Sequence, residues 1–199
     1  MITSNPPTPT PTIVRADKLP SIAFIEARFY RRGKRRAKPL WVVIHATHGA
    51  EGTGKARDGA TELATLPDTA VKRSAHAIID TADVVQCVPW ECEAWHAGAH
   101  ANRYGEGIEL CGSADQTRDQ WFDAASLPML GLAAHVVRWR CEALAVPMVA
   151  RTADELRKFI PGITTHAEIA KAFPADTTHY DPGPHFPLAE LLAAASETR

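Results

Sequence analysis

The chain has 199 residues, of which 45% are hydrophobic and 23% charged, with a formal net charge of −1. That length supports one domain with a substantial core. The near-neutral balance speaks against a bulk nucleic-acid binder, and no apolar run is long enough to span a bilayer, so neither nucleic acid nor a membrane is an expected partner.

Residues 1–12 (MITSNPPTPTPT) are rich in Pro and Thr, a composition that cannot bury a core. A disordered tail or linker is expected over residues 1–20 and one folded domain over 21–199, with apolar sequence resuming near Ile13. No charged segment followed by an apolar one opens the chain, so no secretory signal is read there. Ile22–Tyr30 alternates loosely and suits a strand. The basic run Arg31–Arg36 (RRGKRR) reads as a solvated turn around Gly33, with a patch for an acidic polymer as the alternative. Leu40–Ile44 is a short β-branched run and predicts a buried strand. A glycine-rich loop over residues 49–59 leads into a helix from about Arg57 to Leu66. Ala75–Asp80 and Val84–Val88 predict two strands joined by a turn, and Ile108–Cys111 predicts another.

The period then becomes helical over Arg118–Ala143, where Pro128 should break the helix or open a second one in its first turn. Thr152, with Glu155 three residues on, marks a capped helix reaching Phe159. Further helices are expected over Thr165–Phe173 and Pro187–Ser196. Strands and helices mix without a regular βαβ repeat. The fold class is therefore α/β: a single domain with a central mixed sheet flanked by helices. Cys87, Cys92, Cys111 and Cys141 form no CxxC pair; buried free thiols are expected, although Cys87 and Cys92 could bridge in an oxidising compartment.

Nine histidines stand out by position. His45 follows the LWVVI strand, His76 opens a strand, His96 lies in AWHAGAHA, and His166 starts a helix. Asp181 lies in HYDPGPHF, a segment stiffened by Pro182 and Pro184. A catalytic zinc site takes three protein ligands and leaves a fourth position for water. Two histidines and one aspartate from separate rigid elements would suffice, but sequence distance alone does not bring them together.

Six motifs occur in order: WVVIHATHG, SAHAIID followed by VVQCVP, AWHAG, GIELCG, THAEI and DPGPHF. In that order they resemble the zinc-dependent N-acetylmuramoyl-L-alanine amidases, the type-2 amidase family related to peptidoglycan recognition proteins. The likeness is strongest to the amidase modules of phage endolysins and covers about residues 22–190. It implies a type-2 amidase-like fold and Zn2+ as cofactor, held by His45, His166 and Asp181. It implies Glu109 as the catalytic acid/base, with a buried structural carboxylate in a strand as the alternative. His179 stands where the family often has a lysine that stabilises the oxyanion, and a protonated imidazole could still donate there. Ala75 occupies the place of a tyrosine used in another branch, so a tyrosine-assisted route is not expected. Trp95 and His96, with His76, are the candidate substrate contacts; for Trp95 the alternative is core-edge packing, and for His76 a strand cap.

The resemblance implies bacterial peptidoglycan as partner, a monomer, and synthesis as a soluble protein in a phage-infected host cytoplasm, with action on the cell wall after release. The alternative within the fold is a peptidoglycan-binding module without catalysis. Such modules typically lack the third ligand, which is present here as Asp181. A stem-peptide zinc peptidase finds no HExxH helix in its support.

Overall fold

The computed structural model describes residues 11–197. In chain order the elements are β1 (Ala23–Phe24), β2 (Trp41–Ala46), α1 (Lys55–Thr65), β3 (Ala77–Ile79) and β4 (Val84–Gln86). There follow α2 (Gly98–Tyr104), β5 (Gly105–Leu110), α3 (Arg118–Trp121), α4 (Ser126–Leu144) and α5 (Ala153–Arg157). The chain closes with β6 (Gly162–Thr165), α6 (His166–Ala172) and α7 (Leu188–Ser196). The strands form one six-stranded sheet in the order β1-β4-β3-β5-β2-β6. Every neighbouring pair is parallel except the β3–β4 hairpin. This is the mixed sheet with flanking helices that the sequence implies.

β2 is buried at all six positions, as a strand covered on both faces must be. Its side chains alternate between two cores. Val42 and Ile44 join the larger one, which takes in Leu130, Val136 and Val137 of α4 and Leu191 of α7. Trp41 and Val43 join a smaller one on the opposite face, with Ala101 of α2, Leu156 of α5 and Ile169 of α6. The β3–β4 turn is held by Asp80, whose Oδ1 accepts from the Ala82 and Asp83 N–H groups at 2.8 and 2.7 Å. Asp80 Oδ2 accepts from the Ala56 N–H at 2.9 Å, satisfying a donor in the first turn of α1 that the helix leaves unpaired.

Several expectations shift by a few residues. The strand expected over Ile22–Tyr30 is reduced to Ala23–Phe24 at the sheet edge; past it, Arg31 forms an isolated antiparallel bridge with Glu93. The long helical stretch divides into α3 and α4, and Pro128 sits in the first turn of α4, where its missing N–H is not needed. Thr152 and Glu155 form the expected capping box. β6 and α2 were not expected. Residues 1–10 of the expected tail lie outside the described residues. Of the rest, Ile13 is buried in the larger core and the Ala16 N–H donates to the Gly131 carbonyl, so packing extends N-terminal of residue 21.

The basic run is corrected in part. Gly33 has φ +85° and makes the expected turn. Arg35, however, turns inward and donates to the carbonyls of Cys92 (2.6 Å) and Gly105 (2.7 Å). Arg36 clasps the buried Glu93 carboxylate at 2.7 Å. The carbonyls of Cys92 and of Gly105 at the start of β5 draw Arg35 in, and a buried carboxylate draws Arg36. All four cysteines are free and buried, as expected. Among the described residues, no helix is long and apolar enough to cross a membrane.

Candidate active site

Parity along β2 places His45 on the same face as Trp41 and Val43. Its register partner on parallel β5 is Glu109, so the two side chains leave the same face of the sheet. His45 is the fifth of the six residues of β2 rather than beyond its end. His166 is the first residue of α6, directly after β6, whose last residue Thr165 caps the helix by accepting from the Glu168 N–H. Asp181 comes from the loop that follows, pinned where its carbonyl accepts from the Ala167 N–H at 2.9 Å. Gly183 keeps that loop close: it has φ +96°, and a Cβ there would lie 1.8 Å from the Ala114 carbonyl oxygen.

Three elements thus bring three donors together. His45 Nδ1 lies 3.1 Å from His166 Nδ1 and 3.2 Å from Asp181 Oδ2. His166 Nδ1 lies 3.0 Å from Asp181 Oδ1. All three residues are buried. Tetrahedral zinc with bonds of about 2.0–2.1 Å separates its ligands by about 3.4 Å. The donor spacing and the two-imidazole, one-carboxylate chemistry therefore fit such an ion. Burial pushes the Asp181 carboxyl up, but the hydrogen bonds from His166 and His45 outweigh it and hold the group well below the usual carboxylate range. Burial lowers His45, which favours the neutral imidazole that a metal needs.

The outward nitrogens are also engaged. His166 Nε2 lies 2.8 Å from Thr177 Oγ1, and His45 Nε2 lies 3.0 Å from His96 Nδ1. The trio opens into a cavity of about 530 Å³ that Glu109, Trp95, His96 and His179 also line. Glu109 Oε2 is buried without a hydrogen-bond partner. Burial, reinforced by the charge of Asp181 and opposed by Arg73, pushes its carboxyl up to about 8. A carboxyl near that value can both take and return a proton near neutrality.

The remaining sequence candidates divide. His179 stacks on His166 with ring centroids 4.9 Å apart and is largely exposed, its Nδ1 3.8 Å from Asp181 Oδ1. Trp95 forms part of the cavity wall, and its backbone N–H donates to Ser74 Oγ at 3.0 Å. His76 does not reach the cavity, which corrects its reading as a substrate contact. It is fully buried and stacked on Trp90. Its Nδ1 accepts from the Gly107 N–H at 3.0 Å, so its proton sits on Nε2 beside the Cys92 carbonyl at 3.2 Å. Burial and the Arg35 charge lower its pKa to about 3, so it stays neutral. Sequence reasoning missed Thr177, Asn102 and Arg73, for none of which a local pattern exists.

A family described as N-acetylmuramoyl-L-alanine amidase matches residues 35–184. The chain belongs to that family. The matched span holds all three donors and Glu109. Solved structures share the amidase fold at low identity. The Staphylococcus aureus hydrolase AmiA, solved with its ligand, superposes with a TM-score of 0.66 at 17% identity, over 89% of this chain and 84% of that one. An AmpD derivative gives 0.62 at 21% identity, over 92% and 99%. The endolysin LysCS from Clostridium intestinale, an N-acetylmuramoyl-L-alanine amidase, gives 0.55 at 14% identity, over 89% and 97%. No curated protein matches the sequence.

Proposed function

We propose that this amidase is zinc-dependent and cuts the amide between the lactyl group of N-acetylmuramic acid and L-alanine in bacterial peptidoglycan, as a phage endolysin lysing its host. The observation that carries the reading is the trio His45, His166 and Asp181, spaced at 3.0–3.2 Å and opening into the cavity that Glu109 lines. His45, His166 and Asp181 would hold the zinc, which would supply Lewis acidity at the cavity. Glu109 takes the proton of the attacking water and returns it to the departing alanine nitrogen as the C–N bond breaks. His179 donates a hydrogen bond to the oxygen that gains charge. Trp95 offers a flat wall to the substrate. Loss of the buried trio would leave only a binding cleft.

The endolysin role rests on the ordered motifs and on the fold shared with amidases such as LysCS. It places the enzyme in the host cytoplasm until release gives access to the wall. The deciding experiment is mass spectrometry of purified peptidoglycan digested by the parent protein and by Glu109→Gln. The parent should release stem peptides with a free L-alanine amine, and the variant should keep stoichiometric zinc while turnover falls about 10²–10⁴-fold. Cleavage at another bond, or full activity in Glu109→Gln, would overturn the assignment. Lysis is read separately, as loss of turbidity of a bacterial suspension.

A further inference from the structure

We infer that His96 is a positioning residue for the metal ligand His45: it accepts the His45 Nε2–H and so reserves His45 Nδ1 for the metal. A neutral imidazole carries one proton, and a ligating nitrogen must not carry it. Nδ1 of His45 is the atom that faces His166 and Asp181. Its proton must then sit on Nε2, which lies 3.0 Å from His96 Nδ1. The two rings meet edge to face, at 88° and 5.1 Å between centroids.

The protein builds a specific seat for this acceptor. Asn102 Oδ1 accepts from the backbone N–H groups of both His96 (2.8 Å) and Ala97 (3.0 Å), fixing the chain from which the ring hangs. Gly107 of β5 clears the space the ring fills, because a Cβ there would lie 2.6 Å from His96 Cγ and 2.7 Å from Nδ1. Accepting at Nδ1 places the His96 proton on Nε2, an atom buried without a protein partner. The opposite arrangement is open only without metal: His45 Nδ1–H then donates to Asp181, and His96 Nδ1–H donates back to His45 Nε2. A metal at His45 Nδ1 therefore excludes that arrangement and leaves the one in which His96 Nδ1 accepts. His96 touches the ligand and needs no contact with substrate for this role.

The inference rests on reading the trio as a zinc site, and the test separates the two. Nitrogen-15 NMR of the parent protein with and without zinc should show the His45 proton on Nε2 in the loaded form, hydrogen-bonded to an unprotonated His96 Nδ1. A loaded form in which His96 Nδ1 keeps its proton would overturn the inference, and that readout needs no variant to fold. Zinc affinity, read by chelator competition, should weaken about 10–100-fold in His96→Leu, the usual loss when such a partner is removed. In His96→Asn, whose Oδ1 can accept in place of Nδ1, it should return to within about threefold of the parent. Parent-like zinc affinity in His96→Leu overturns the positioning role and leaves the zinc reading intact. A parent protein that binds no zinc overturns both.

Discussion

Gly107→Ala probes the site without removing any polar group. The new Cβ would sit 2.6 Å from His96 Cγ and 3.0 Å from His96 Cβ, where ordinary contact begins at 3.4 Å. The clash lies at the root of the side chain, so rotation about its end does not relieve it. The ring, the strand or both must yield by about 0.8 Å, and displacements near 1 Å at a reacting centre cost about 10²-fold in rate. Overpacking of this kind destabilises by about 1–3 kcal/mol. In a domain of this size that lowers the melting temperature by about 2–12 °C. Thermal unfolding, zinc titration and peptidoglycan turnover on one preparation measure all three effects. A Gly107→Ala variant with parental melting temperature, zinc affinity and turnover would refute the tight seat for His96.

Arg140 makes paired hydrogen bonds to the fully buried Glu106 at 2.8 and 2.9 Å, so Arg140→Met strands that carboxylate and should cost about 3–5 kcal/mol by urea denaturation. Adding Glu106→Leu should restore most of the loss, and a double variant as unstable as Arg140→Met alone would show that the charge is not its source. Removing zinc with a chelator should abolish turnover, and zinc at 100 times its dissociation constant should stabilise the chelated protein by about 2.7 kcal/mol, seen as a rise in melting temperature. Burial pushes the Cys87, Cys111 and Cys141 thiols up to about 12, so at pH 8 they remain protonated while the protein is folded. A colorimetric thiol reagent at pH 8 should therefore react fully with the four cysteines only after denaturation; two reactive thiols in the denatured, unreduced protein would reveal a bridge.

The sequence by itself determined the elements whose signals are local. The apolar run of β2, the β3–β4 hairpin, the Thr152–Glu155 capping box and the place of Pro128 follow from periodicity and backbone chemistry within a few residues. The ordered motifs likewise marked His45, His166 and Asp181. β6 was not legible, because GITT after Pro161 reads as a loop. It becomes a strand only because β2 presents an open edge whose N–H and C=O groups need partners. Arg35 and Arg36 looked solvated for the same reason: the carbonyls and the carboxylate that draw them inward lie far along the chain.

His76 and His96 show the division most sharply. Both are histidines in recognisable motifs, and nothing in the spacing separates them. Only packing decides that His76 sits in the core, its Nδ1 on the Gly107 N–H and its Nε2 beside the Cys92 carbonyl and the Arg35 guanidinium, while His96 turns Nδ1 toward His45. An imidazole has two inequivalent nitrogens, and which of them faces a partner depends on where neighbouring strands place their glycines and carbonyls. The residue types of this site were fixed by the chain, and the directions in which their ring nitrogens point by the fold.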